Sequence, residues 1–233
     1  MIPIHRYPTI DSTNLEARRL ADGGPVGPLW IIAGEQTSGR GRLGRHWVSR
    51  PGNLYSTCLL PVAAPPNTLG QLSFVAAIAV HQTASAFAGP AAISLKWPND
   101  CLLNGAKFCG ILVEALRPGL VAIGIGINIA HVPEGLPYRA ARLEGTEVEP
   151  IFEQLQLNLS NNVKIWDEGR GFEAIRKAWL QRCHHVNQPI SVDGEVGQFA
   201  GLAPDGALLF KRANGETKLV YAGDISLEYQ PKP

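Results

Sequence analysis

The sequence of 233 residues has no excess of charge of either sign. Lysine and arginine total 21 and aspartate and glutamate total 20, so the net charge is +1. A near-neutral chain is not expected to coat nucleic acid or an anionic membrane through bulk charge. Any anion-binding function must therefore come from local clusters of basic residues.

Cysteines are few and widely separated. The chain has four, at positions 58, 101, 109 and 183. They form no Cys-x-x-Cys pair and no Cys/His spacing typical of zinc ligands, so we expect no metal site. A chain of this length buries a hydrophobic core without the help of a disulfide framework. We therefore expect reduced thiols and a cytoplasmic location.

Long hydrophobic runs are also missing. The longest, residues 120–130, is interrupted by two glycines and an asparagine and is too short to span a bilayer. The N-terminal segment lacks the basic and apolar regions of a secretory signal. Hydrophobic residues nevertheless make up 45% of the chain, which is typical of a globular protein. We expect no membrane partner.

The first two thirds of the chain mix helix and strand patterns. Thr13 and Glu16 have the spacing of a capping box and Gly23 supplies a stop, so we predict a helix over 13–22. Asn104-Gly105 is typical of a type I′ turn between two strands. Further strands are predicted over 5–10, 29–33, 53–62, 93–97, 101–103, 108–115 and 120–129, and an alanine-rich helix over 68–87.

The last third divides into helices and a β module. Residues 150–183 carry apolar residues at helical spacing and predict two helices, the second over 172–183. Beyond Asn187, the turns VDGEV, APDGA and ANGET predict a small all-β module, a barrel. We expect an α+β fold with a mixed sheet, divided into a larger domain of residues 1–186 and a C-terminal β domain of residues 187–233.

A glycine- and arginine-rich segment, GRGRLGR, occupies residues 39–45. It formally matches the GxGxxG dinucleotide fingerprint. Pro51-Gly52 prevents a useful helix, and no acidic residue follows at the required distance, so this interpretation is excluded. The arginines at 40, 42, 45 and 50 suit phosphate or carboxylate, with Trp47 near enough to stack on a base. A solvated basic loop or a nucleic-acid contact is the alternative.

The segment KWPND at 96–100 lies between two apolar strands. By itself it is an ordinary turn with Trp97 in the core. If 104–105 is a hairpin turn, Lys107 lies beside Asp100 on the adjacent strand. Such a pair is either a surface ion pair of little energetic consequence or part of a site. Gly124 and Gly126, inside a predicted strand, indicate close approach by a ligand or another backbone.

Taken in order, five segments resemble the catalytic domain of the biotin–protein ligases. The resemblance covers most of residues 5–130 and extends more weakly to GALLF and GDISL, which are similar to that family's SH3-like C-terminal domain. Lipoate ligases share the fold but are not expected to carry both GRGRxGR and KWPND. The five segments are DSTN at 11–14, GRGRLGR with its following tryptophan at 39–47, KWPND at 96–100, KFCGILVE at 107–114 and GIGIN at 124–128.

The resemblance implies a mixed-sheet, biotin/lipoate ligase-like catalytic domain followed by an SH3-like β-barrel. It implies ATP-dependent attachment of biotin to a lysine of the biotin carboxyl carrier protein of acetyl-CoA carboxylase. Biotin and Mg-ATP first give biotinyl-5′-adenylate, and the carrier lysine then displaces AMP. Some members also carry an N-terminal DNA-binding domain. DSTN begins at residue 11, so we expect no such domain and no nucleic-acid partner, whereas exposed strand edges allow a homodimer.

The resemblance also implies roles for individual residues. Lys107 should contact the carboxylate and α-phosphate oxygens, with Arg40 along the biotin tail and the phosphate. Asp100 should orient or deprotonate the incoming lysine, although the neighbouring Lys107 favours its charged, weakly basic form. The biotin-binding residues it implies are Ser12, Thr13, Asn14, Gln36, Arg40, Gly41, Arg42, Lys107 and Gly110, and the ATP-binding residues are Arg42, Arg45, Trp47, Lys107 and Asn128.

Other interpretations remain open. One alternative is that Ser12 or Thr13 caps the first helix instead of binding biotin, or does both. The alternatives for the whole protein are a non-catalytic biotin or adenylate sensor, a ligase for another acid such as lipoate, and a DNA-binding protein. The presence of both Lys107 and Asp100 argues against a sensor. The loop 39–50 is expected to be mobile when empty and ordered by ligand, because glycines and like charges hold no packed structure alone.

Overall fold

A computed structural model describes residues 2–223 and 225–226. Residues 224 and 227–233, which complete GDISL and the predicted C-terminal domain, lie outside the described residues. A seven-stranded sheet forms the larger part of the fold, with strand order β1-β2-β3-β7-β6-β5-β4. Only the β1–β2 pair is parallel. The strands are β1 (Ile4–Ile10), β2 (Leu29–Gln36), β3 (Leu54–Pro61), β4 (Ile93–Lys96), β5 (Asp100–Leu103), β6 (Ala106–Arg117) and β7 (Leu120–Ile127).

Helices cover the two faces of this sheet unequally. Along β7, the isoleucines at 123, 125 and 127 belong to the main core, beneath three helices, whereas Leu120 and Ala122 face the opposite side with the first helix. This alternation follows from the two-residue period of a strand. The helices are α1 (Thr13–Asp22), α2 (Leu72–Ala88), α3 (Val148–Trp166) and α4 (Phe172–Leu180).

Helix α1 covers only part of the sheet face on its side. Ala17 and Ala21 pack with Leu59 and Ala122 in a small second core. Farther along the same face the strands carry glycines, since Gly110 pairs with Gly126 across β6 and β7. Without side chains there, the sheet surface beside α1 is left open for a cavity.

The predicted hairpin between β5 and β6 is confirmed. Asn104 and Gly105 have φ angles of 49° and 77°, both positive as a type I′ turn requires. The strands pair antiparallel with a bulge after Cys101. The turn therefore brings Asp100 and Lys107 to the same place.

A second, antiparallel sheet forms the C-terminal module, in the order β11-β10-β9-β8-β12. Trp179 of α4 stacks on Phe199, with ring centroids 6.4 Å apart. Trp97, predicted as a core residue, is buried, and its indole Nε1 donates to the Gly206 carbonyl at 3.3 Å. These contacts join the module to the larger sheet. Its strands are β8 (Pro189–Val192), β9 (Glu195–Leu202), β10 (Leu208–Arg212), β11 (Thr217–Val220) and β12 (Ile225–Ser226).

The capping box predicted at the start of α1 is wrong. The helix spans the predicted residues, but Ser12 is its N-cap and makes no side-chain capping bond. The Glu16 carboxylate instead accepts hydrogen bonds from Tyr7 and Arg19. Thr13 faces the sheet rather than the helix end, which leaves its hydroxyl for another purpose.

Candidate active site

A cavity of about 350 Å³ lies on the α1 side of the sheet, over the glycines of β6 and β7. It brings together segments that are distant in sequence: the start of α1, the end of β2, the loop that follows and β6. All nine residues implied for biotin line it, as do four of the five implied for ATP. The lining residues from these sets are Ser12, Thr13, Asn14, Gln36, Arg40, Gly41, Arg42, Arg45, Trp47, Lys107 and Gly110.

The floor of the cavity begins as a chain of buried hydrogen bonds around Gln36. The Thr13 backbone N–H donates to Gln36 Oε1 at 2.9 Å. Gln36 Nε2 donates to the Ser49 hydroxyl at 2.9 Å, and that hydroxyl donates to the Trp47 carbonyl. Gln36 is therefore held in one orientation.

This hydrogen-bond network continues under α1 through two residues that do not line the cavity. Thr57 Oγ1, on β3, lies 2.8 Å from Thr13 Oγ1 and 2.7 Å from Asn14 Oδ1. Asn14 Nδ2 donates to the Glu114 carboxylate on β6 at 2.7 Å. We call the connected set the polar floor; its members are Thr13, Asn14, Gln36, Ser49, Thr57 and Glu114.

Two strand glycines explain how side chains fit against the sheet. A Cβ on Gly124 would overlap the amide oxygen of Asn14. A Cβ on Gly126 would lie 2.7 Å from Trp47 Nε1. The prediction that these glycines admit a ligand or another backbone is replaced by a different finding, since the groups that approach them in this structure are the side chains of Asn14 and Trp47.

The roof is the segment 39–48, which we call the arginine loop. No dinucleotide-type helix starts there, since only a three-residue 3₁₀ turn, Arg42–Gly44, interrupts it. The loop closes on itself where Gly41 N–H donates to the Arg45 carbonyl at 2.8 Å. Arg42 reaches Asn99 of KWPND at 3.1 Å. The arginines at 40, 42 and 45 thus line one side of the cavity.

Lys107 is the cation at the centre of the site. Its Nζ forms an ion pair with Asp100 Oδ1 at 2.7 Å and lies 5.5 and 5.3 Å from the ring centroids of Trp47 and Tyr138. Burial alone lowers the pKa of Lys107, but the charge and hydrogen bond of Asp100 outweigh it, so the net pKa is raised. The ammonium therefore stays charged at neutral pH, ready to attract an anion.

Two predicted residues lie beside the large cavity rather than in it. Asp100 lines an adjacent cleft of about 240 Å³ that also reaches Lys107. Asn128 lines a smaller neighbouring space with Trp47 and Lys107, and its Nδ2 donates to the Ala141 carbonyl at 3.0 Å. Lys107 is shared by all three spaces.

Sequence reasoning missed several contributors to the site. Tyr138 reaches Lys107 because the Lys107 N–H donates to the Arg139 carbonyl and the Ala141 N–H donates to the Lys107 carbonyl. No local pattern indicates this pairing. Thr57 and Glu114 were also missed, although a polar threonine within an apolar strand was a usable signal for Thr57.

The described residues of the site do not form a metal centre. Within residues 2–223 and 225–226, no three His, Cys, Asp or Glu side chains are grouped so as to hold a metal ion. Over the same residues, no helix combines the length and apolar character needed to cross a membrane. The described lining of the large cavity consists of cationic, amide, hydroxyl, aromatic and apolar groups.

Two protein-family models match the chain in the places that the fold indicates. The Biotin/lipoate A/B protein ligase family matches residues 8–129, and the Biotin protein ligase C terminal domain matches residues 185–228. The chain belongs to the biotin/lipoate A/B protein ligase family. Its membership accounts for the order in which the five sequence segments occur.

Individual relatives extend this similarity over nearly the whole chain. The biotin–[acetyl-CoA-carboxylase] ligase of Paracoccus denitrificans is 38% identical, covering 88% of this chain and 92% of that protein. The bifunctional ligase/repressor BirA of Bacillus subtilis is 31% identical, covering 95% of this chain and 73% of that protein. The structure is similar to the biotin protein ligase of Aquifex aeolicus in complex with biotin and ATP, with a TM-score of 0.81, 28% identity and coverage of 98% and 99%.

Proposed function

We propose that the protein is an ATP-dependent biotin ligase that attaches biotin to a lysine of a biotin carboxyl carrier domain through biotinyl-5′-adenylate. The observation that carries the proposal is the single cavity that joins a buried polar floor to Lys107 and three arginines. A floor of amides and hydroxyls suits the ureido ring of biotin, and the cations suit its carboxylate and the phosphates of ATP. The similarity to the Paracoccus denitrificans ligase, at 38% identity, supports the same chemistry.

In the first step, a carboxylate oxygen of biotin attacks the α-phosphorus of ATP and pyrophosphate leaves with the bond's electron pair. Both reactants are anions, so their approach needs positive charge. Lys107 lies between two aromatic rings and stays protonated. We assign it to the carboxylate and α-phosphate oxygens, with Arg40 and Arg42 along the same path. Closing the arginine loop over the product would protect the mixed anhydride from water.

In the second step, the neutral amine of the carrier lysine attacks the acyl carbon, an amide bond forms and AMP leaves. The cleft that contains Asp100 meets the large cavity at Lys107. A lysine arriving by this cleft reaches the carboxyl end of the adenylate without displacing biotin from the floor. Asp100, held by its ion pair with Lys107, is then placed to orient the incoming amine.

For the nucleotide, we assign Trp47 and Asn128 to the adenine and Arg45 to the phosphates. The Trp47 indole Nε1 is buried without a hydrogen-bond partner among the described residues. A ligand that supplies an acceptor would satisfy it. The donors around the cavity suit an anionic triphosphate better than a bare cation, so we propose that Mg²⁺ arrives with ATP as part of the substrate.

Three broader expectations stay proposals. We divide the chain into a catalytic domain, 1–186, and a C-terminal SH3-like domain, 187–233, supported by the family match that starts at residue 185. We propose a cytoplasmic location, supported by four free cysteines. We propose no role in nucleic-acid binding, on the ground of a net charge of +1.

A homodimer would use one edge of the large sheet. At the β4 edge, the Leu95 N–H already donates to the Arg182 carbonyl and its own carbonyl accepts from His184. Strand β1 is the other edge. We therefore propose that any strand-to-strand dimer pairs through β1, which sedimentation of the wild type beside a proline-substituted β1 variant would test.

The experiment that tests the function is transfer of radiolabelled biotin to a purified carboxyl-carrier domain with Mg-ATP. A parallel reaction uses labelled lipoate with its own carrier. We expect ATP-dependent labelling with biotin and a loss of at least about 100-fold in Lys107→Ala, the scale expected when a charge-stabilising group is removed. Lys164→Ala, exposed on α3 across the sheet, is the matched control. Biotin bound without transfer would indicate a sensor, and preferred lipoate transfer would indicate the other acid.

A further inference from the structure

The polar floor has both of its ends fixed in orientation. Only an oxygen of Gln36 can accept from the Thr13 backbone N–H, so Oε1 faces Thr13. Only the NH₂ group of Asn14 can donate to the Glu114 carboxylate, so Oδ1 faces Thr57. Two amide oxygens, which accept but never donate, therefore point inward from the two ends.

Between these two amide oxygens, the threonine hydroxyls supply one hydrogen fewer than the number of oxygen–oxygen contacts. Gln36 Oε1 lies 3.1 Å from Thr13 Oγ1. The two threonine hydroxyl oxygens are 2.8 Å apart, and Thr57 Oγ1 lies 2.7 Å from Asn14 Oδ1. Each hydroxyl supplies a single hydrogen. Three oxygen–oxygen contacts thus share two hydrogens.

The distances and partners indicate which contact lacks a hydrogen. Gln36 Oε1 already accepts from the Thr13 backbone N–H, whereas Thr57 supplies the one donor to Asn14 Oδ1 within the described chain. Thr57 therefore donates to Asn14, and Thr13 donates to Thr57. The contact left without a hydrogen is the longest, between Thr13 Oγ1 and Gln36 Oε1.

We propose that Glu114 and Thr57 are positioning residues that make the polar floor an acceptor for a ligand N–H. Neither lines the cavity; both act through Asn14 and Thr13, which do. Because Glu114 fixes Asn14 and Thr57 draws the Thr13 hydrogen inward, the oxygens of Thr13 and Gln36 both face the ligand without a hydrogen between them. A ring N–H of the ligand supplies it. The inference rests on the proposed function, since the cyclic urea of biotin carries two N–H groups.

The same arrangement explains a preference for ligands that bring donors. Two close acceptors without a hydrogen between them are unfavourable in a buried site, and a ligand donor relieves that cost on binding. A ligand that presents only acceptors or a methyl group at this position leaves the cost in place. The site therefore selects a ring nitrogen that carries hydrogen.

Two nearly isosteric variants test the proposal. In Glu114→Gln, the new amide donates as well as accepts, so Asn14 is free to turn over. In Thr57→Val, the hydroxyl is lost and the shape is kept. We expect calorimetric biotin affinity without ATP to fall about 10-fold in each, the scale for a disrupted buried hydrogen bond. The KM for ATP, and kcat at saturating biotin, should stay at wild-type values.

A biotin analogue methylated on a ring nitrogen separates positioning from a general loss of structure. Two such analogues exist, one for each ring nitrogen. The wild type should bind the weaker-binding of the two at least about 10-fold more weakly than biotin. That penalty should shrink in Glu114→Gln and Thr57→Val, because the acceptor pair is no longer enforced. Thr57→Ser, which retains the hydroxyl, should rescue the affinity lost in Thr57→Val. Glu149→Gln removes a carboxylate from an exposed ion pair and is the control for charge.

The outcomes are distinct. Biotin affinities within about twofold of the wild type, well below the expected loss, or an undiminished methyl penalty would overturn the acceptor site. If Thr57→Val does not fold, as judged by circular dichroism, Glu114→Gln and the analogue decide. If the wild type binds no biotin, the proposed function fails together with the acceptor site. If it binds and transfers biotin but the variants match it, the acceptor site alone fails.

Discussion

The polar floor and the arginine loop face each other across one cavity but are built in opposite ways. Floor residues such as Thr13, Gln36 and Thr57 are buried, and each is bonded to a neighbour on a strand or on α1. In the loop, Arg40 and Arg45 are exposed and Leu43 is 77% exposed at a positive φ of 56°. One wall is fixed when the chain folds, and the other gathers like charges on a glycine-rich backbone.

This difference suggests a division of labour between the walls. A preformed floor loses little entropy on binding and can select the neutral ring of a ligand. Several arginines on one loop attract an anion, so the loop gains most from a ligand that carries phosphate. We therefore expect changes in the floor to affect biotin binding and changes in the loop to affect reaction with ATP.

Gly124→Ala should have the largest effect and should fall on the floor. The new Cβ would overlap the Asn14 amide, which is pinned between Thr57 and Glu114 and has nowhere to move. We expect biotin affinity to fall about 100-fold, as overpacking at a rigid site costs up to ~3 kcal/mol. Gly70→Ala, where a Cβ meets nothing within 4 Å, is the control. Unchanged affinity would mean that the floor is not rigid.

Arg40→Gln should have a smaller effect, and on the other wall. Arg40 lines the cavity from the exposed loop. We expect adenylate formation, followed by release of labelled pyrophosphate, to slow about 30-fold, in the range for loss of one charge-assisted bond. Biotin affinity without ATP should fall by less than this, because the polar floor still holds the ring. Arg170→Gln, an exposed arginine paired with Asp167, is the control. An equal loss of biotin affinity would abolish the distinction between the walls.

His185→Leu should change neither wall of the cavity, so it is the reference for a variant that alters stability without altering the site. His185 is buried with neither ring nitrogen hydrogen-bonded within the described chain, unlike the paired floor. Burial, helped by His184 and Lys96, lowers the pKa of His185 to about 3. The unfolded chain takes up the proton near pH 6.5, so His185 costs the fold stability as the pH falls from 6.5 towards 3.

Between pH 7 and pH 5, the wild type should therefore lose about 2 kcal/mol of unfolding free energy that His185→Leu does not lose. Urea titrations at the two values would measure this. Biotin affinity at pH 7 should be the same in both proteins. A variant as acid-sensitive as the wild type would contradict the assignment to His185.

The part of the site that could be predicted from sequence is the part fixed by local rules or by recognisable motifs. The Asn104-Gly105 turn predicts the hairpin, and the hairpin alone brings Lys107 to Asp100. The strand glycines likewise indicated close approach at 124 and 126, although the approaching groups are side chains. Even so, the capping-box spacing at Thr13 was misleading, because a tertiary contact with Gln36 replaced the local one.

The remainder depends on which strands become neighbours. Asn14 meets Glu114, 100 positions away, only because β7 separates β3 from β6 in the sheet and α1 lies across them. Tyr138 reaches Lys107 through backbone bonds to a segment without strand patterning. No period or turn signal encodes either contact, so the hydrogen arrangement of the floor was beyond sequence reasoning.

Amide hydrogen exchange of the protein alone, with biotin, and with biotin plus ATP tests the contrast between the walls most directly. The Thr13 N–H, bonded to Gln36, should be protected in all three states. Amides of the arginine loop, residues 39–48, should exchange rapidly alone and gain strong protection only with both ligands. A loop already protected without ligand, or a Thr13 amide that is unprotected until biotin binds, would contradict a fixed floor facing a ligand-ordered loop.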